Sequence, residues 1–176
     1  DVLWSVDSTN AELLRRGASA QGVAVVLAER QTGGRGRRGR TWASPLAAHV
    51  YLSLARRFDG GLARLGGLSL VAGIAAAEAL RAAGFDEVGL KWPNDLFADG
   101  RKLGGLLIEG GGEHGGPVQA VIGIGVNVCM PEAAAGTIGQ PWTDLSRLSV
   151  GPVSRDAVVA ALLSHLLPAL DVVDAE

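Results

Sequence analysis

Seven consecutive residues, Gly34-Arg35-Gly36-Arg37-Arg38-Gly39-Arg40, hold four guanidiniums and three glycines in a chain of 176 residues whose formal net charge is -2. Arginine offers planar, permanently charged, bidentate donors for phosphate, and interleaved glycines let backbone N–H groups close on the same anion. That pairing suits a nucleotide triphosphate, and because the background charge is close to neutral its purpose is local. A second cation, Lys91, stands at the head of Lys91-Trp92-Pro93-Asn94-Asp95, a stiff turn in which Pro93 fixes φ and Asn94 and Asp95 can bond backbone groups.

Other phosphate-binding patterns fail on context. Gly34-x-Gly36-x-x-Gly39 satisfies G-x-G-x-x-G and follows an expected strand, but the chain then runs through Pro45 into another strand instead of opening a helix. Gly110-x-Gly112-x-x-Gly115 fails likewise at an expected hairpin tip, and no G-K-[ST] of a Walker loop exists. Nonspecific nucleic-acid binding through Arg35–Arg40 lacks interleaved aromatics beyond Trp42, and the net acidity opposes it. The lone Cys129 forms no internal disulfide, which fits a cytoplasmic setting. The uncharged run 65–77 stops short of a membrane span. His49, His114 and His165 share no metal-ligand spacing.

The elements that must position these residues follow from periodicity. Thr9-Asn10-Ala11-Glu12 has the capping-box spacing and Gly17 closes the segment, so residues 10–16 read as a short helix. Residues from Gly22 onward and residues 49–57 read as strands, the second alternating Val50, Leu52, Leu54 against Tyr51, Ser53, Ala55, which places the arginine segment between two strands. Residues 65–83 form a long buried helix capped by Gly84. A strand then ends at Lys91, a hairpin turns at Asp99-Gly100, and a further strand runs through residues 117–128. Residues 155–167 are helical, with Ser154 as N-cap. The fold class is α/β (α+β), a mixed sheet flanked by helices in one domain over residues 1–176.

Taken together, Ser8-Thr9-Asn10, the stretch 28–42, Lys91-Trp92-Pro93-Asn94-Asp95-Leu96, residues 102–109 and residues 122–128 resemble, in order and spacing, the motifs of biotin-protein ligases. The resemblance covers residues 8–128 and implies the mixed sheet shared with class II aminoacyl-tRNA synthetases. It implies that biotin and ATP react to biotinyl-5'-AMP and pyrophosphate, with Mg2+ on the phosphates, and that biotin then passes to one lysine of biotin carboxyl carrier protein. In the first step a carboxylate must approach an anionic phosphate, a repulsion of roughly 4 kcal/mol per charge pair at about 4 Å and a dielectric near 20. The resemblance gives Lys91 the bridging role, with Arg37 and Arg40 as its catalytic partners. It places biotin against Ser8, Thr9, Asn10, Gln31, Gly34, Arg35, Arg37, Gly105 and Gly123. ATP falls to Arg35, Arg37, Arg38, Arg40, Trp42, Lys91 and Asn127, with Trp42 stacking on adenine, and Asp95 is the candidate metal carboxylate. Glycines in the arginine segment would let it close over the reactive anhydride once phosphate is bound.

The nearest rival within the same chemistry is lipoate-protein ligase, which is not expected to show the arginine loop and the Lys91–Asp95 motif together. Family members that act as repressors carry an N-terminal helix-turn-helix. Six residues before Asp7 leave no room for one, so no nucleic-acid partner is expected. The small C-terminal β-barrel of the family is expected to be absent or truncated. The strand edges of an open sheet can pair two subunits as a homodimer.

Overall fold

A computed structural model of the chain describes residues 1–17, 22–59, 65–112 and 117–175. At its centre is a seven-stranded sheet of β1 (Val2–Leu3), β2 (Ala24–Ala28), β3 (His49–Phe58), β4 (Gly89–Lys91), β5 (Asp95–Ala98), β6 (Arg101–Gly112) and β7 (Val118–Asn127), in the spatial order β1-β2-β3-β7-β6-β5-β4. The β1–β2 pair is parallel and the other five are antiparallel, so the sheet is mixed as expected. Five helices flank it: α1 (Thr9–Arg16), α2 (Leu65–Ala82), α3 (Glu132–Ala135), α4 (Leu145–Leu148) and α5 (Arg155–Ala175).

Alternation along the long central strands separates two faces. Val50, Leu52 and Leu54 of β3 and Ile122, Ile124 and Val126 of β7 are buried in one core with Leu68, Ala72, Ala76 and Leu80 of α2 and Val158, Leu162, Leu166 and Leu170 of α5. On the opposite face Leu13 of α1 packs with Val26, Ala55 and Val121. Because α1 covers only one end of that face, the remainder is left open as the floor of a cavity.

Local chemistry explains where element boundaries depart from expectation. Ser8, not Thr9, caps α1: its Oγ accepts from the Ala11 N–H at 3.4 Å, which frees the Thr9 side chain for other partners. Helix α5 runs past residue 167 and through Pro168 to Ala175. There the buried Leu170 and the ion pairs of Arg56 with Asp171 and Asp174, at 2.5 and 2.9 Å, hold its last turns against the sheet. By length and apolarity α5 could cross a membrane, with a mean hydropathy of 1.7 over Arg155–Asp174. Here one of its faces is buried against α2. Strand β1 and helices α3 and α4 are too short to show a period and were not expected. The hairpin turn stands as read, with Asp99 and Gly100 both at positive φ, 50° and 67°. The expected Gly-rich tip at 110–116 falls partly outside the described residues.

Candidate functional site

A cavity of about 340 Å3 opens on the free face of the sheet, roofed by the connection between β2 and β3. Three structural features make it: a polar wall at the start of α1, a cationic hairpin, and a lysine held between them.

The wall is a closed network. The Thr9 backbone N–H and Oγ1 donate to Gln31 Oε1 at 3.0 and 3.2 Å. Ser53 Oγ lies 2.7 Å from Thr9 Oγ1 and 2.6 Å from Asn10 Oδ1, and Asn10 Nδ2 donates to the Leu107 carbonyl and to Glu109 Oε2. Ser8, Thr9, Asn10 and Ser53 are all buried. Gly123 lines the cavity as expected, and a Cβ there would collide with the Asn10 side chain, so this glycine also makes room for the wall. Ser53 was not among the expected site residues, although its place opposite Leu52 and Leu54 in the alternation carried the signal.

The cationic segment is a small hairpin of its own. Arg35 and Thr41 form a bridge, Trp42 N–H donates to the Gly34 carbonyl at 2.9 Å, and a 3-10 turn at Arg37–Gly39 makes the tip, with Arg38 and Gly39 at φ 57° and 72°. Gly34 is buried inside this hairpin, where a Cβ would lie 2.8 Å from Ser44 Oγ and 2.9 Å from the Trp42 carbonyl; it closes the loop and does not line the cavity. Two contacts tie the hairpin across the cavity: Arg35 to Glu109 at 3.8 Å and Arg37 Nη1 to Asn94 Oδ1 at 3.5 Å. The side chains of Arg38 and Arg40 line the cavity with no ion-pair or hydrogen-bond partner among the described residues.

The chain has two lysines. Lys91 is exposed on the edge strand β4, its Nζ 4.8 Å from the centre of the Phe97 ring, and it does not line the cavity, which corrects the expectation that it bridges the reactants. Lys102 does line it: 14% of its side chain is exposed, and Nζ sits 2.8 Å from Asp95 Oδ1 and 5.7 Å from the centre of the Trp42 ring. A β-bulge explains why alternation hid this residue. In β6 the even positions Gly104 and Leu106 face the helices, while Gly105 and Leu107 line the cavity. Strict alternation would send Lys102 to the helix side. Pairing of β5 with β6 runs Leu96–Gly104 and then Phe97–Lys102, so Leu103 is the extra residue; it is fully buried in the helix-side core, and the shift turns Lys102 into the cavity.

Two further expectations, for Asn127 and Asp95, are revised, and Trp42 keeps its place in the lining with one face of its ring in use. Asn127 does not line the cavity: it is buried at the end of β7, where Nδ2 donates to the Thr143 carbonyl at 3.0 Å. Trp42 lies flat on Gly125, where a Cβ would come within 2.7 Å of its ring, so one face of the indole is already used as floor. Its Nε1 is buried without a partner. Asp95 lines the cavity, but its carboxylate is committed to Lys102, and no group of three His, Cys, Asp or Glu side chains that could hold a metal occurs among the described residues. The donor set therefore does not fit a metal held by the protein alone. Gln140 is an unexpected lining residue, carried to the cavity because the Lys102 N–H donates to the Pro141 carbonyl at 3.1 Å.

His49, beside Tyr51 with ring centres 6.0 Å apart, is pushed down to about 4 by burial, and burial likewise raises Tyr51, whose hydroxyl donates to the Pro45 carbonyl at 2.8 Å.

Comparison with known proteins converges on one family. Residues 2–127 match the Biotin/lipoate A/B protein ligase family. The chain is 42% identical over 175 residues to the bifunctional ligase/repressor BirA of Escherichia coli, covering 99% of this chain and 54% of that protein. It is 39% identical over 172 residues to the biotin--[acetyl-CoA-carboxylase] ligase of Mycobacterium tuberculosis, covering 94% and 62%. Among solved structures, the biotin protein ligase of Aquifex aeolicus in complex with biotin and ATP superposes with a TM-score of 0.80 at 28% identity, over 100% of this chain and 72% of that one. The chain thus spans about half the length of the first of these relatives and under two thirds of the second.

Proposed function

Because the chain belongs to the Biotin/lipoate A/B protein ligase family, we propose that it is the catalytic core of a biotin-protein ligase, joining biotin to ATP as biotinyl-5'-AMP and passing the biotinyl group to a lysine of a carboxylase carrier protein. The observation that carries this reading is the sequence of environments along one cavity: a buried hydroxyl and amide wall, then Lys102, then unpaired guanidiniums. A neutral ureido ring with N–H donors and a carbonyl acceptor matches the wall of Ser8, Thr9, Asn10 and Gln31. Its carboxylate, at the far end of an apolar chain, then reaches Lys102 over the Trp42 floor, and Arg35, Arg37, Arg38 and Arg40 face the nucleotide phosphates. The ammonium of Lys102 sits where it can lie between carboxylate and α-phosphate and offset their repulsion. The nucleophile is already ionised, so this step requires no general base. Mg2+ brought with the nucleotide would supply neutralisation of the pyrophosphate charge, a role for which the protein's own residues at the cavity are the guanidiniums of Arg35, Arg37, Arg38 and Arg40.

Relatives support the substrates: one bears biotin and ATP, another is a biotin--[acetyl-CoA-carboxylase] ligase, and a biotin protein ligase from Leishmania major holds biotinyl-5-AMP. The test is pyrophosphate release from ATP with biotin and with lipoate in parallel. Release that requires biotin is expected. Release with lipoate alone moves the chain to the lipoate branch of the family, and release with neither overturns the reading.

A further inference from the structure

Asp95 presents a physical problem. Glu109 stands in the wall, bonded to Asn10 and facing Arg35, but Asp95 is a carboxylate in the lining itself of a cavity that, on the reading above, must admit two anions. A negative charge there opposes both, so its presence calls for a compensating role. Two observations supply it. The Asp95 carboxylate is 2.8 Å from Lys102 Nζ, and both side chains are largely withdrawn from water, 29% and 14% exposed. Asp95 also pairs with Gly105 in the ladder, on the cavity side of the bulge that turns Lys102 inward. A Cβ on Gly105 would only just touch Asp95 Oδ1, at 3.4 Å, so the carboxylate lies close over the strand that carries the lysine.

A lysine side chain is a point charge on a flexible four-carbon stem, and a bulge fixes the direction of its Cβ but not of its ammonium. The indole of Trp42 bounds one side at 5.7 Å. The Asp95 carboxylate fixes another. The turn bearing it is itself anchored: Asn94 Nδ2 donates to the Leu106 carbonyl at 2.6 Å, and the Leu106 N–H donates back to the Asn94 carbonyl at 2.8 Å. The anchor of the carboxylate and the strand of the lysine are therefore one rigid unit.

We propose that Asp95 is a positioning residue, which with the bulge at Leu103 holds the Lys102 ammonium at the point where the two anionic reactants meet. This rests on the biotin-ligase reading and assigns Asp95 to the lysine instead of to a metal.

The experiment compares wild type, Asp95→Asn and Asp95→Ala in biotin-dependent pyrophosphate release, and separately measures acylation of the two lysines by acetic anhydride with peptide mass mapping. Lys91, which faces Asp95 across the β4–β5 ladder but is exposed, with its Nζ over the Phe97 ring and no ion pair among the described residues, is the internal reference. Misplacing a reacting group by an ångström costs about 100-fold, so kcat is expected to fall on the order of 100-fold in Asp95→Ala and about 10-fold in Asp95→Asn, which keeps an amide oxygen for Lys102. The KM for biotin stays level or falls, since a repelling charge has gone. The Lys102-to-Lys91 acylation ratio rises several-fold in Asp95→Ala. A packing role alone would lower the thermal midpoint without this kcat–KM split or the partial rescue by asparagine. An unchanged kcat, a raised biotin KM at constant kcat, or an unchanged acylation ratio overturns the proposal. Absence of biotin-dependent release in wild type would strike the functional reading instead, while the acylation ratio would still report whether Asp95 holds Lys102.

Discussion

At one end of the cavity Thr9, Asn10, Gln31 and Ser53 are bonded to one another and to Glu109 and the backbone; at the other, the side chains of Arg38 and Arg40 stand exposed with no partner among the described residues. The wall has already been desolvated and ordered during folding, so a ligand that matches it loses little on binding. Trp42 anchors the base of the hairpin on Gly125, but among the described residues its guanidiniums meet the rest of the protein only in the 3.8 Å Arg35–Glu109 pair and the 3.5 Å Arg37–Asn94 contact, so they stay hydrated until an anion supplies their partners. Preorganisation serves the neutral end of the ligand. Responsiveness serves the charged end.

Substituting the lysine between the two ends gives the largest contrast. Lys102→Met is expected to slow adenylate formation about 100- to 1000-fold, the loss of one preorganised donor at developing charge, whereas Lys91→Met changes it less than about twofold; steady-state pyrophosphate release decides between them. Next, Arg37→Gly removes a phosphate contact and one of the two ties of the hairpin. The adenylate should escape about 10- to 100-fold faster and acylate lysines indiscriminately, while biotin binding at the wall is unchanged; equal retention by wild type and variant would contradict the division of labour. The wall is broken from beneath by Gly123→Ala, whose methyl displaces Asn10. Urea unfolding should show a loss of roughly 1–3 kcal/mol, with weakened biotin affinity and an unaltered response to phosphate.

Acid acts on stability alone. His49 folds at about 4 against an ordinary 6.5, so above 6.5 both states are neutral and its contribution is complete. Between 6.5 and 4 only the unfolded chain takes up the proton, and stability falls by up to about 1.4 kcal/mol per pH unit; below 4 no more is lost through this group. His49→Gln should flatten that part of the stability–pH curve.

The place of the arginine segment between two strands, the first helix, the Asp99-Gly100 turn and the longer strands were legible in the sequence, because each is written in neighbouring residues: a turn type, a cap or an alternation of two; the order of the strands in the sheet was not. The same local grammar misdirected the lysine. It promoted Lys91, which ends a strand beside a stiff turn, and would have sent Lys102 to the helix side. It also gave Gly34 to the ligand, when Gly34 clears Ser44 and the Trp42 carbonyl within the hairpin.

The sequence by itself thus determined the architecture, the family and the two kinds of chemistry gathered in the cavity. Tertiary structure alone decided which ammonium stands between them. A bulge is a property of two paired strands, and only when β5 and β6 are in register does Leu103 become the extra residue that turns Lys102 over.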